Sequence, residues 1–195
     1  MNDAQTNEPV PRKPLRLWPG VVIVILQWLV RFGVPVIAPE SMGFAIIGGM
    51  IGGLAVVVWW LFFSRARWFE RLGTIALMIV GLFATSRLVH ESIQNGMMGM
   101  MLVISSLPFL SLALVLGAAL GRRLADGARR VAMAAAILLA CGIWTLVRTG
   151  GMTGDANSDF HWRWSKTPEE RLLAQAGEKP VPLAPVPATA KFAAD

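Results

Sequence analysis

Cysteine is all but missing from this chain of 195 residues: Cys141 stands alone inside an apolar run. A single thiol excludes an internal disulfide, and without a CxxCH stretch there is no covalent haem site. Cys141 is read as a small packing residue. Charge is scarce as well, at 15% of residues against 55% hydrophobic. A mean hydropathy of +0.57 is too high for a soluble domain of this size. No nucleophile–base pair and no cluster of metal-ligating side chains appears, which argues against a self-contained enzyme. No internal repeat marks an inverted-repeat transporter. A cleavable leader is not expected either. Residues 1–17 are polar and carry Pro9, Pro11 and Pro14, and the first apolar segment is too long for a signal-peptide core. That opening stretch reads as a disordered cytoplasmic tail.

What the chain has in abundance is long apolar runs. Five stand out: Trp18–Ala38, Gly43–Phe63, Leu72–Val89, Met97–Leu120 and Val131–Val147. Each approaches the roughly 20 residues that a helix rising about 1.5 Å per residue needs to cross about 30 Å of hydrocarbon. Lipid offers no partner for an open backbone amide, so helix is the expected form. The fold class is therefore an all-α membrane protein, a five-transmembrane-helix bundle over residues 18–148, with a short outer helix and a proline-rich tail.

The net charge of +6 does not point to nucleic acid, because the basic residues sit in short loops beside the runs, facing lipid phosphates. Arg12, Lys13 and Arg16 precede the first run, and Arg65, Arg67 and Arg71 separate the second from the third. Arg122, Arg123, Arg129 and Arg130 separate the fourth from the fifth. The alternate loops are poor: Pro39–Met42 has no basic residue, and His90–Gly96 has none beyond His90. The positive-inside rule places the N-terminus in the cytoplasm and Thr149–Asp195 on the periplasmic side of a bacterial inner membrane.

Gly48, Gly49, Gly52 and Gly53 make two overlapping GxxxG patterns, at which another helix can come close. Packing within this bundle is one reading and homodimerisation the other. Trp18, Trp59, Trp60, Trp68 and Trp144 fall near the ends of runs, as in an aromatic belt, while Trp28 lies deeper and could line a cavity. Met97, Met98, Met100 and Met101 begin an apolar run at scattered spacing, so they are read as packing and not as copper ligands. Pro108 is expected to kink the fourth run and free a carbonyl near its middle.

Polar residues inside the runs are the most informative. Gln27 and Arg31 lie four apart, on one helix face. Arg31 is about 20 Å along its run and Arg87 at a similar depth in the third, with His90 and Glu91 one turn later. A charge within a span is costly and faces a protein interior, a wet cavity or an interface. Two readings stand. In one, Arg31 and Arg87 snorkel to outer headgroups, with Glu91 pairing one of them. In the other, Arg31, Arg87, His90 and Glu91 form a pocket for a polar ligand or a quinone headgroup. Arginine and histidine would then donate to a carbonyl oxygen, and a carboxylate or imidazole would carry protons.

Residues 149–178 form a membrane-proximal segment. Gly150–Gly154 reads as a flexible exit, followed by the run Asp159-Phe160-His161-Trp162-Arg163-Trp164-Ser165. Trp162 and Trp164 are expected to dock on the interface or on a neighbouring domain, and His161, a lone histidine, is not read as a metal ligand. Thr167 as N-cap, Pro168 at the first position and Glu169 and Glu170 in the first turn start a short helix that ends by Gly177. From Lys179 to Asp195 an alternation of proline and alanine makes an extended, semi-rigid spacer.

The stretch Asp159–Ala174, after five spans and before a proline-rich linker, resembles the membrane-proximal segment of bacterial PQQ-binding-like β-propeller proteins. The arrangement also resembles that of membrane-bound quinoprotein glucose dehydrogenases. As architecture the likeness covers the whole chain; as a motif it rests on residues 159–174. It implies an inner-membrane anchor domain for a periplasmic propeller, with electrons passing to ubiquinone. No propeller lies within the 195 residues, so the family's PQQ and metal ligands have no counterparts here, and PQQ enters only if a propeller follows. A chain complete at Asp195 would not oxidise a sugar or alcohol by itself. The expected partners are the lipid bilayer and a periplasmic propeller. The alternative is an independent small membrane protein, an assembly partner or a transporter-like bundle. A transporter needs a polar path through both halves of the bilayer, and the inner half offers little beyond Gln27 and Thr74.

Overall fold

A computed structural model describes residues 17–64, 66–152, 154 and 158–178. The expected cytoplasmic tail before Leu17 and the spacer from Lys179 lie outside the described residues. The chain forms two units, one up to Arg163 and one from Trp164 onward.

In the first unit five helices are long and apolar enough to cross a membrane. They are α1 (Trp18–Ile37), α2 (Pro39–Phe63), α3 (Trp68–Leu88) and, after the short α4 (Glu91–Gln94), α5 (Met101–Arg123) and α6 (Asp126–Leu146). The expected helical bundle is present. Its boundaries differ from those of the apolar runs, because helical hydrogen bonding continues into the polar zone. Helix α3 begins at Trp68 instead of Leu72, and α6 at Asp126 instead of Val131. Each gains an acid in its first turn, Glu70 and Asp126, which suits the positive end of a helix. Helix α5 starts later than its run, at Met101. Met97 and Met98, expected to open that helix, instead adopt left-handed backbone with φ of 49° and 58° in a tight turn between Gly96 and Gly99.

Helix α5 is the hub: 72% of its most apolar window is buried, against 17–28% for the other spans. Helices α1, α2 and α6 pack directly on it, and α3 is held chiefly by α6. Val56, Trp59, Trp60, Leu110, Leu114 and Ile137 are among the buried residues of the main core. A smaller core near the other end joins Val89, Ile93, Met101, Leu102 and Trp144. The glycine pairs of α2 face helices of this same chain. A Cβ on Gly52 would sit 2.6 Å from Cγ of Gln27, and one on Gly53 would strike Leu107.

The tryptophans near the ends of the runs differ in burial. Trp18 and Trp68 are exposed on the surface of the bundle, but Trp59, Trp60 and Trp144 are buried. Gly20 makes room for the Trp59 ring against α1, which draws it inward from the span end. Helix α5 runs on through Pro108, whose own carbonyl accepts the indole N–H of Trp28 at 3.3 Å.

Beyond α6 the sequence suggested a flexible exit at Gly150–Gly154. The structure has a hairpin there. Strand β1 (Val147–Met152) pairs antiparallel with β2 (Ser158–Trp162), with Val147 opposite Trp162 and Thr149 opposite Phe160. The pairing is irregular between Thr149 and Met152, where Gly151 takes φ 136°, a conformation glycine reaches without strain. Tertiary contacts hold the strands to the bundle. The Thr149 N–H donates to Ser92 Oγ at 3.1 Å, and the Phe160 ring packs edge-on against Trp144 at 5.6 Å.

In the second unit α7 (Pro168–Glu178) starts with a reciprocal cap. The Glu170 N–H donates to Thr167 Oγ1 at 2.9 Å, and the Thr167 N–H donates to Glu170 Oε2 at 2.8 Å.

Candidate functional site

Pro35 has no N–H to return to the carbonyl of Arg31 four residues earlier. Helix α1 absorbs this with a widened π turn over Leu29–Gly33, in which the Val34 N–H reaches back to Leu29 O. Widened turns of this kind re-aim a side chain, and Arg31 sits in the middle of this one. Its stem lies over Gly49 of α2, where a Cβ would come within 3.0 Å of Arg31 Cδ. The guanidinium lies 5.2 Å from the centre of the Phe32 ring, and Nη1 points at Met42 Sδ, 3.6 Å away. The buried Nε has no hydrogen-bond partner. No ion pair holds Arg31 among the described residues. The sealed Nε does not reach outward, but the terminal nitrogens, engaged among the described residues only with Met42, keep donors free, and charge-assisted bonds from them are strong.

Arg31 opens onto a cleft of about 350 Å³ that is also lined by Phe32, Val36, Met42, Ser158 and Phe160. Aromatic rings back it in a continuous series: Phe32 to Trp28 at 4.9 Å, Trp28 to Phe109 at 5.3 Å, Phe109 to Trp144 at 5.5 Å, and Trp144 to Phe160. One turn deeper on α1, Gln27 is 2% exposed and donates from Nε2 to Gly49 O at 2.8 Å. Its Oε1 has no partner.

The other three residues predicted for this pocket do not line the cleft. Arg87 is exposed near the end of α3, with its guanidinium 5.0 Å from the centre of the Phe83 ring. His90 caps α4: its Nδ1 accepts from the Ser92 N–H at 3.2 Å. Glu91 is exposed in the first turn of that helix. Phe160 and Ser158 were not foreseen as members of the site. Their signal was present in part, since Phe160 belongs to the stretch 159–174 that carries the resemblance.

A second polar group, at the opposite ends of the spans, was also not foreseen. Glu70 in the first turn of α3 accepts from Arg129 Nη2 of α6 with both carboxylate oxygens, at 2.8 and 2.6 Å. Arg130 Nε adds a bond of 3.2 Å. Asp126 stands 3.7 Å from Arg129 and 4.0 Å from Arg67. The arginines were legible as topology markers. Their main partner is Glu70, lying one turn before Thr74 on the same helix. Among the described residues no three His, Cys, Asp or Glu side chains gather as a metal site.

Compared with known proteins, the chain matches no family model, no curated protein and no solved structure.

Proposed function

We propose that this bundle is the inner-membrane anchor domain of a PQQ-binding-like β-propeller protein, and that the Arg31 cleft receives the headgroup of ubiquinone. One observation carries the reading. Phe160, from the segment that resembles the propeller family's membrane-proximal stretch, walls the same cleft as Arg31, an intramembrane cation with unspent donors. A quinone headgroup is a flat ring edged with carbonyl oxygens. It suits a cleft with aromatic sides and a guanidinium at its wall. The hairpin end then faces the periplasm, in keeping with the arginine counts of the loops. Arg31 takes the donor role. His90 and Glu91 serve α4 instead, and PQQ belongs to a propeller beyond these residues.

The anchor is tested by the intact mass of the native protein, captured from its own membranes through the tail before Leu17. A product far heavier than 21.1 kDa that binds PQQ supports the reading. A mass of 21.1 kDa with no propeller co-purifying overturns it in favour of an independent small membrane protein. The cleft is tested by photolabelling with an azido-quinone. Arg31→Gln should weaken labelling about tenfold, the worth of one charge-assisted bond. Arg87→Gln and His90→Ala should leave it unchanged. Equal labelling of Arg31→Gln and the parent protein removes the cleft from consideration.

A further inference from the structure

At the arginine-rich end, α3 and α6 enclose a groove of about 180 Å³. Its walls are apolar, with Gly73 and Leu77 on one side and Met133 and Ile137 on the other, and its mouth is Glu70 with Arg129 and Arg130. Gly73 leaves a slot there: a Cβ added to it would meet no atom within 4 Å. The mouth lies in the first turns of both helices, where a span leaves hydrocarbon for the headgroup zone.

The charges at the mouth do not cancel. Two guanidinium groups share the single carboxylate of Glu70. Arg129 is enclosed, with 18% of its side chain exposed, and takes most of that charge. Arg130 is 49% exposed and spends only Nε on Glu70. Asp126 stands 3.7 Å from Arg129 and 4.0 Å from Arg67, so the carboxylates of Glu70 and Asp126 face the guanidinium groups of Arg67, Arg129 and Arg130, and positive charge is left over at the mouth. The result is an apolar slot at membrane depth with a guanidinium fork at its rim.

We infer that this groove is a binding site for one anionic phospholipid. Its phosphate oxygens are held by the terminal nitrogens of Arg130, and an acyl chain lies along Gly73 and Leu77 between α3 and α6. Guanidinium suits phosphate through two parallel N–H···O bonds. The apolar slot distinguishes a lipid from a free phosphate. A zwitterionic lipid carries a compensating ammonium and gains less at Arg130.

The test uses the delipidated full chain in neutral detergent. Thermal unfolding is followed by the reaction of Cys141, its only thiol and buried when folded, with a fluorogenic maleimide. Dioleoyl phosphatidylglycerol should raise the midpoint by about 5 °C at saturation, dioleoyl phosphatidylcholine by far less, and glycerol phosphate not at all. Arg130→Gln, which removes the fork, and Gly73→Leu, which fills the slot, should each abolish the phosphatidylglycerol gain while holding the phosphatidylcholine midpoint to within about 2 °C. Arg130→Lys should retain part of it. The inference is overturned if glycerol phosphate alone reproduces the shift, if the two lipids act equally on the parent chain, or if the gain survives in either variant that folds.

Discussion

The side-chain amide of Gln27 on α1 donates a 2.8 Å hydrogen bond to the backbone carbonyl of Gly49 on α2. The bond is possible because α2 has glycine where it meets α1. A polar side chain then reaches a backbone oxygen that a Cβ-bearing surface would hide. The paired glycines and Gln27 are one device: the first lets the helices approach, and the second uses the closeness.

Gly52→Leu should separate the two helices. The new Cβ alone would lie 2.6 Å from Gln27 Cγ. The expected cost is about 2–3 kcal/mol, in the range for overpacked cores. Gly43→Ala, with open space around its Cβ, should cost almost nothing. Midpoints from Cys141 labelling would rank the two variants, and equal midpoints would mean that this contact does not hold α1 to α2.

Glu70→Gln should destabilise by about 2 kcal/mol, because it takes the two short charged contacts from the largely enclosed Arg129 and leaves it only Asp126 at 3.7 Å. Arg130→Gln, at the half-exposed side of the same carboxylate, should cost about 0.5 kcal/mol. Chemical unfolding of both in one detergent gives the comparison, and an inverted order would contradict this division of the Glu70 charge.

Ser92→Ala should loosen the hairpin while leaving the bundle intact. Ser92 Oγ accepts the Thr149 N–H and lies 3.0 Å from His90 Nδ1. Losing one such bond is worth about 1 kcal/mol. Amide exchange at Thr149 should accelerate about fivefold with the α5 amides unchanged, and unchanged exchange at Thr149 would show that other contacts hold β1.

Arg31→Met should be neutral or stabilising. The arginine is half buried, its Nε lacks a partner, and no acid pairs with it among the described residues. Replacing such a group by an apolar one of similar length removes a desolvation cost of about 1–3 kcal/mol. A clear fall in the midpoint would mean that the guanidinium makes stabilising contacts in the membrane beyond Met42 and Phe32.

The spans themselves were legible because hydropathy alone demands them. Their ends were not, since the polar first turns of α3 and α6 are stabilised across the bundle by Glu70 and Arg129, residues far apart in sequence. The burial of Trp59 depends on Gly20 of another helix, so proximity to a span end suggested a belt instead. The hairpin was hidden for a similar reason. Gly150 and Gly151 carry little strand propensity, and the strand is fixed by Ser92 and Trp144, which sequence spacing does not bring near. Of the four candidate pocket residues, position along the run could be counted from the sequence and direction around the helix could not. Arg31 and Arg87 lie in corresponding halves of their spans. The π turn before Pro35 sets where Arg31 points, and Arg87 lies exposed over Phe83.

Because α5 is the hub yet follows α1 and α2 in the chain, those two helices are synthesised before their main partner exists. The Nε2 of Gln27 closes on Gly49 of α2 and does not wait for α5, while its Oε1 stays without a partner. The indole N–H of Trp28 is left pending until Pro108 arrives. The order of the chain thus sets the order of contacts: a first pair already tied at its seam by Gln27, and a later wedge that joins it to α6.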